Sequence, residues 1–379
     1  MLRYLTAGES HGKSLAGIIE GLPAGLTVSR EMIDRDLARR QEGYGRGGRM
    51  AIEKDHVEIL SGIRGGITLG SPLAYLIHNR DYENWKEGMD PFEGDLAYKQ
   101  VFHPRPGHAD LPGALKYGFT DVRAVLERSS ARETAVRVAA GSIARQLLSL
   151  FGIEAASHVV RIGSVMLNND HKVTFDSLLS ADTSPVRCIN ETTAQEMMKA
   201  IDQASAEGDS LGGVVEVRVK GIPVGLGSHV QWDRKLDARL AYALMSIQAI
   251  KGVEIGDGFQ SAKKPGSQVH DEIFYDENHG FYRKTNHAGG IEGGISNGEE
   301  VIIRCVMKPI PTLMKSLKTV DMRSHLPYDA AKERSDTCAV PAAAVVAEGT
   351  ALFVIAQAFM ETFGHDSLEE MKRCWKPSK

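Results

Sequence analysis

The stretch that most restricts how this chain can fold is AVPAAAVVAEGTALFVIAQAFMETF, Ala339 to Phe363. It is apolar almost all round, so as a helix it offers no face suited to water. A lipid bilayer would accept such a run, but Pro341, Glu348, Gly349 and Gln357 interrupt it. A carboxylate in hydrocarbon is costly, so the run reads as a buried central helix and not as a membrane span. The rest of the chain must then wrap it. With 379 residues it is long enough to do so, since a chain of this size buries about three quarters of its unfolded surface.

Three further helices are legible. In AVRVAAGSIARQLLSLFG, Val136, Ala140, Ile143, Leu147 and Leu150 recur at steps of four and three, one helical stripe. RKLDARLAYALMSIQAI repeats the pattern with Leu236, Leu240, Leu244 and Ile247. TTAQEMMKAIDQASAEG is the third, with Gly208 placed to end it. Strand candidates are HVEIL, PLAYLIH, HVVRIGSV, GGVVEVRVKGI and EEVIIRCVM. Val215, Val217 and Val219 alternate with Glu216, Arg218 and Lys220, the signature of a strand with one buried face. The class is therefore mixed α and β, without the regular alternation that a parallel doubly wound sheet demands. We expect one large domain over residues 1–379, with long polar loops near 39–54 and 81–113. GIRGGITLGSPLAYLI and GGIEGGISNGEEVIIR both run a glycine-rich turn into an apolar strand, which fits either a faint duplication or chance.

Composition narrows the function. The formal net charge of −4 argues against a general nucleic-acid binder. Cys188, Cys305, Cys338 and Cys374 form no C-x-x-C pair, so a zinc or redox motif has no support, and their wide spacing fits a reducing cytoplasm.

The chemistry-bearing stretches start at Thr6. TAGESHGKS fits a relaxed phosphate-loop pattern if RYLT before it is a strand and SLAGIIEGL after it starts a helix. Ala7 in the first place and Glu9 inside the loop speak against bound phosphates, and no apolar strand ends in a magnesium-binding aspartate. A turn that presents His11, a side chain able to titrate near neutrality, is the better reading. RRQEGYGRGGRMAIEKD gathers Arg39, Arg40, Arg46 and Arg49 around flexible glycines; guanidinium forks suit phosphates and carboxylates. A solvated basic loop or an RNA contact through Tyr44 would use the same residues. HPRPGHADLPGALKYG carries His103, Arg105, His108 and Asp110 at no common zinc spacing. In ERSSARETAVRVAAG, Ser129 or Ser130 could cap a helix, with Glu133 at the capping-box position; two hydroxyls with Arg128 and Arg132 also make an anion site. NHAGGIEGGISNGEE would let backbone approach a flat ligand, Lys308 and Thr312 of KPIPT could reach a phosphate, and Ser335 or Asp336 could cap the apolar helix.

Taken in order, GESHG, RRQEGYGRGGRM, RPGHADLPGALKYG, ERSSARET, QAIKGVEIGDGF, NHAGGIEGGISNGEE, KPIPT and RSD resemble the chorismate synthase family over residues 3 to about 363. The resemblance implies a β-α-β sandwich with helices between antiparallel sheets, assembled as a homotetramer. It implies anti-1,4-elimination of phosphate from 5-enolpyruvylshikimate 3-phosphate, giving chorismate in the shikimate pathway of aromatic amino acid biosynthesis. Reduced FMN is required without net redox change, with NADPH as a possible source of reduction. By position, His11 matches a proton donor to the reduced flavin, His108 a group assisting the leaving phosphate, and Asp336 the base near flavin N5. Arg40, Arg46, Arg49, Arg132 and Arg334 match substrate contacts, and Arg40 and Arg46 also a possible NADP contact. The FMN contacts map to Arg128, Ser129, Ser130, Gln248, Ala249, Gly293, Lys308, Pro309, Ile310, Pro311, Thr312 and Arg334. No metal, nucleic-acid or membrane partner is implied. Many members read R-H-D where this chain has Arg334-Ser335-Asp336, so a role for a histidine there is lost.

Overall fold

The computed structural model describes residues 1–48, 52–168, 173–278, 280–330 and 336–375. Two antiparallel sheets enclose a layer of helices. The first sheet contains β1 (Arg3–Ala7), β2 (Ser14–Glu20), β3 (Glu58–Ile59) and β4 (Leu73–His78), in the spatial order β1-β2-β4-β3. The second contains β5 (Glu154–Ile162), β6 (Val165–Met166), β7 (Gly213–Lys220), β8 (Ile250–Ile255) and β9 (Val301–Met307), in the order β8-β9-β7-β5-β6. The helices are α1 (Arg30–Gln41), α2 (Asp110–Tyr117), α3 (Arg123–Ser129), α4 (Thr134–Ser149), α5 (Glu191–Ala206), α6 (Leu236–Met245) and α7 (Val340–Phe363).

The apolar run forms α7 and is buried along nearly its whole length. One side of α7 packs on β5 and β7, the other on α4, and α4 in turn packs on β2. The stripe read from the sequence explains α4: Val136, Ala140, Ile143 and Leu147 are all buried, while Leu150, just past the helix end, is exposed. Val136, Ile143 and Leu147 each contribute about 1.5–3 kcal/mol by leaving water. The two central helices nearly touch backbone to backbone. A Cβ placed on Gly141 would lie 2.5 Å from the Gly349 Cα, so only glycine fits this crossing. Glu348, the charge inside the apolar run, is fully buried. Arg39 reaches it from α1 at 2.9 and 3.2 Å, Arg145 from α4, and the Ser157 hydroxyl from β5. The polar residue that breaks the run thus ties both sheets' supporting helices to one point.

The two rhyming stretches occupy equivalent places in two similarly built halves of the fold. Each half runs through two strands, a helix, an edge strand, a tight hairpin, a third strand and a core helix. The order β1-β2-β4-β3 of one sheet matches β5-β7-β9-β8 of the other, with β6 added. The hairpins Ile63–Arg64/Ile67–Thr68 and Ile291–Glu292/Ile295–Ser296 are held alike. Thr68 Oγ1 accepts from Leu26 N at 2.9 Å and donates to Pro23 O; Ser296 Oγ accepts from Leu226 N at 2.8 Å and donates to Pro223 O. The matching segments read GLPAGL and GIPVGL.

One expectation fails. SLAGIIEGL does not start a helix; Ser14–Glu20 is a strand returning beside Arg3–Ala7. Leu15, Gly17 and Ile19 point inward at period two, and Gly17 lies so close to the Tyr75 ring that a Cβ would be 2.3 Å from it. TAGESHGKS is therefore a hairpin turn between antiparallel strands. The helix N-terminus on which a phosphate loop depends does not exist there.

Candidate active site

The GESHG turn is pinned from three directions. Asn79, just after β4, donates through Nδ2 to Glu9 O at 3.2 Å and Gly12 O at 2.7 Å. Ser10 Oγ donates to Ser130 Oγ at 3.0 Å, and Ser10 N to Glu127 O at 3.0 Å. His11 Nδ1 lies 2.8 Å from Glu127 Oε1.

From Asn79 the contacts run into the arginines. Arg132 Nε donates to Asn79 Oδ1 at 2.8 Å, and its Nη1 to both oxygens of Asp55 at 2.6 and 2.8 Å. Arg132 Nη2 is buried, makes no hydrogen bond among the described residues, and sits 3.7 Å from Glu53 Oε2. Arg40 Nη1 is 3.4 Å from Asp55 Oδ2; its Nε donates to Thr134 Oγ1 at 2.9 Å and its Nη2 to Ala131 O at 3.0 Å. Burial presses Arg40 down to about 9, opposed by Asp55 and assisted by Arg132 and Arg46. It remains a cation at neutral pH, in surroundings that favour one more anion. Arg46 Nη1 lies 3.2 Å from Asp336 Oδ2, and Asp336 Oδ1 accepts from Gly47 N at 2.6 Å. Arg49 and Arg334 lie outside the described residues, as does Ser335.

His108 occupies a second cluster. Its Nδ1 is 2.5 Å from Asp110 Oδ1 at the start of α2, and Arg105 Nη2 is 3.1 Å from the same nitrogen. Burial raises the Asp110 carboxyl, but the bonds from His108 and Arg105 outweigh it and hold it well below the usual range. Arg105 Nη1 donates to Thr312 Oγ1 at 2.8 Å, and Lys308 Nζ to Gly107 O at 2.8 Å. Pro309, Ile310 and Pro311 carry the chain between them as it leaves β9, and Ile310 O accepts from Ser210 Oγ at 2.7 Å.

The segments expected to hold FMN partly converge. Lys308 N donates to Ala249 O at 2.9 Å, and Gln248 Nε2 to Glu133 Oε2 at 3.2 Å. Glu133 Oε1 accepts from Thr6 Oγ1 at 2.8 Å, and Arg128 Nη2 donates to Thr6 O at 2.9 Å. Ser130 and Ser129 complete the edge, the latter bonded to Val125 O at 2.7 Å. Gly293 stands apart. It lies in the hairpin whose Gly294 O receives Leu236 N at the start of α6, whereas Gln248 follows the end of that helix. A helix of 10 residues separates them, about 15 Å.

Two capping expectations are revised. Ser130 accepts from Arg132 N and caps the short turn 131–133, but Glu133 gives its side chain to Thr6, Arg137 and Gln248, so no capping box forms. The helix α7 is preceded by Ala339 with no side-chain cap, which leaves Asp336 to Arg46 and Gly47. Sequence reasoning passed over Asp55, Asn79, Glu127 and Trp85, and took Glu133 only as a capping-box residue. Only the acidic or amide character of Asp55, Asn79 and Glu127 was visible, and nothing distinguished them from surface polar residues.

The assembly can be set against known proteins. The chorismate synthase family model matches residues 2–360. Chorismate synthase of Alkaliphilus metalliredigens (strain QYMF) is 61% identical over 376 residues, covering 99% of both chains. The chain belongs to the chorismate synthase family. Chorismate synthase of Geobacter metallireducens is 59% identical over 382 residues, covering 98% of this chain and 97% of its own. A crystal structure of chorismate synthase superposes with a TM-score of 0.79 at 43% identity, covering 98% of this chain and 96% of the other. The chain is accordingly a carbon–oxygen lyase acting on phosphates, with the mixed α and β fold of its relatives.

Proposed function

We propose that the protein converts 5-enolpyruvylshikimate 3-phosphate to chorismate and phosphate by anti-1,4-elimination, with reduced FMN. The observation that carries the reading is the path of contacts from the His11 turn through Asn79, Arg132 and Asp55 to Arg40, with the Arg46–Asp336 pair near enough for its charges to act on Arg40. A substrate with two carboxylates and a phosphate needs such a set of guanidinium forks. Arg132 Nη2, buried without a hydrogen bond, is a donor in wait of an anion. Arg40, Arg46 and Arg132, with Arg49 and Arg334, bind the substrate's anionic groups. An incoming anion competes for Arg46, which frees Asp336 to take the proton from C6. His108, backed by Asp110, gives its proton to the departing phosphate.

FMN fits the residues present. Gln248 Oε1 is buried without a hydrogen-bond partner among the described residues, and Ala249 beside it is held at φ 67°. Arg128, Ser129, Ser130, Gln248, Ala249 and Lys308 to Thr312 would hold it. Gly293 and Arg334 belong to the same proposal. When bound, reduced FMN lends electron density to phosphate departure and recovers it. His11 would supply a proton to that cofactor. Arg40 and Arg46 are also the proposed contacts of NADPH as a source of reduction. A cytoplasmic homotetramer completes the reading; the exposed Trp232 and Tyr242 give a second copy apolar surface to cover.

The test is an anaerobic assay with reduced FMN and the phosphorylated substrate. Turnover to chorismate is expected, and folded protein that makes none would sink the proposal. His11→Ala, His108→Ala and Asp336→Asn are each expected to lower turnover roughly 10²–10⁴-fold.

A further inference from the structure

His11 is held more closely than a proton donor on a flexible turn would be. Glu127, on α3, is 3% exposed, accepts from the His11 backbone N–H at 2.8 Å, and faces Nδ1 at 2.8 and 3.0 Å with its two oxygens. Burial pushes its carboxyl up, but the bonds to His11 and then the charge of Arg123 outweigh this and keep it below the ordinary range. On the ring's flat side, Trp85 stacks with centroids 3.9 Å apart and planes at 24°. The indole is itself fixed. Its Nε1 donates to Asp81 at 3.2 Å, Tyr98 meets it edge-on, Lys99 Nζ lies 3.8 Å from the ring centre and the Arg123 guanidinium 5.1 Å.

We propose that Glu127 and Trp85 are positioning residues that set the tautomer and ring plane of His11. The inference rests on the reading of His11 as a proton donor. A neutral imidazole carries one ring proton, and a carboxylate against Nδ1 selects the Nδ1–H form. Nε2 is then the nitrogen that exchanges a proton with a ligand. Stacking on an indole face fixes the direction in which Nε2 points. Trp85 also gives the polar 81–101 segment a task, since it brings the indole over the GESHG turn. The arrangement extends to the second histidine. A Cβ on Gly113 of α2 would lie 2.4 Å from Val125 of α3, so the helix carrying Glu127 is seated on the helix that begins with Asp110. Both histidines are thus backed by buried carboxylates on one rigid pair of helices. Among the described residues, the charged groups facing His11 and its two partners include Glu127 itself, Arg123 3.5 Å from Glu127, Lys99 over the Trp85 ring, and Glu9 in the same turn.

The test uses the full-length protein. Glu127→Gln keeps the size and a hydrogen bond but removes the charge; Trp85→Ala removes the stack and Trp85→Phe restores an aromatic face. In the anaerobic assay, Glu127→Gln and Trp85→Ala are expected to lower kcat about 10- to 100-fold with KM within about threefold. Trp85→Phe should recover most of that loss. A second readout needs neither substrate nor flavin. Tryptophan emission of the wild type minus that of Trp85→Phe isolates Trp85 from Trp232 and Trp375. A protonated imidazole quenches a stacked indole, so the difference signal should fall as pH falls. That step should be absent from His11→Gln and differ from the wild type in Glu127→Gln, where no carboxylate faces Nδ1. Glu127→Gln with wild-type circular dichroism, kcat and titration would overturn the role of Glu127. A Trp85 signal indifferent to His11→Gln would overturn that of Trp85. If His11→Ala keeps full turnover, the proton-donor reading falls while the optical titration still decides the stack.

Discussion

Asp55 holds two arginines at once, and neither can be moved without it. It is 3% exposed, takes both of its short bonds from Arg132, and is the carboxylate nearest the buried Arg40. Arg40 and Arg132 come from different elements, so their spacing is set by this shared partner and not by the chain. Replacing Asp55 by Ala leaves two buried guanidiniums to repel each other. The expected outcome is a KM for the phosphorylated substrate raised by roughly 10- to 100-fold, the equivalent of losing about 1.5–3 kcal/mol of charged hydrogen bonding. Steady-state kinetics under anaerobic conditions check it, and an unchanged KM would show that the arginines bind without this support. Of these residues, the arginines were readable beforehand because glycine-rich loops with several guanidiniums are rare. Asp55 was not, because an isolated aspartate in EKD looks like any solvated acid until folding buries it.

At the scale of elements, the central helices are specified by what they exclude. Gly141 lets α4 approach the Gly349 backbone of α7 more closely than any side chain at 141 allows, and Glu348 then fixes how α7 sits relative to α1, α4 and β5. Burial pushes the Glu348 carboxyl up, but Arg39 and Arg145 outweigh it and keep it ionised. Removing one partner of a buried ion cluster leaves the others uncompensated. Glu348→Gln is therefore expected to destabilise the fold by about 3–5 kcal/mol, measured by urea unfolding. A loss below about 1 kcal/mol would mean that the cluster is screened as surface ion pairs are. The same helices show where sequence periodicity succeeds and fails. The stripe of α4 was clear because one face is apolar. The strand Ser14–Glu20 was misread because a turn followed by an apolar run is common to strand–turn–helix and strand–turn–strand, and only pairing with Arg3–Ala7 separates them.

For the whole molecule, stability depends on many carboxylates held ionised. In Asp36, Asp110, Glu127, Glu133, Glu216 and Glu348 burial acts upward and is outweighed by cationic or hydrogen-bonding partners. Glu216 is brought down to about 2 by His158, Arg218 and Arg304. A carboxyl lowered on folding stabilises the native state above its unfolded value and loses that contribution as pH falls through its folded value. The thermal midpoint should thus be nearly flat from pH 7 to about 5 and drop steeply below about 4. Thermal scans by circular dichroism across that range check the prediction, and a midpoint that rises on acidification would contradict it. The likeness of the two halves belongs to this scale too. The segments that follow β4 and β9 in the two halves meet each other, Arg105 donating to Thr312 and Lys308 to Gly107 O.

The sequence by itself determined the elements with strong one-sided periodicity, the central place of Ala339–Phe363, and the residue types of an anion site. It also determined membership of the family, because eight short motifs in a fixed order are far more specific than any one of them. Only the tertiary structure decided which acids stand behind which bases. Asp55 and Glu127 act through distances of a few ångströms between segments up to 116 residues apart, and no local pattern encodes such a distance; Asp110, two residues from His108, is the local exception. It alone showed that TAGESHGKS is a hairpin, since strand pairing is a contact between segments and not a property of either. It alone set two faintly similar glycine-rich stretches at equivalent places in two similarly built halves, because the likeness lies in hydrogen bonds and strand order more than in the residues.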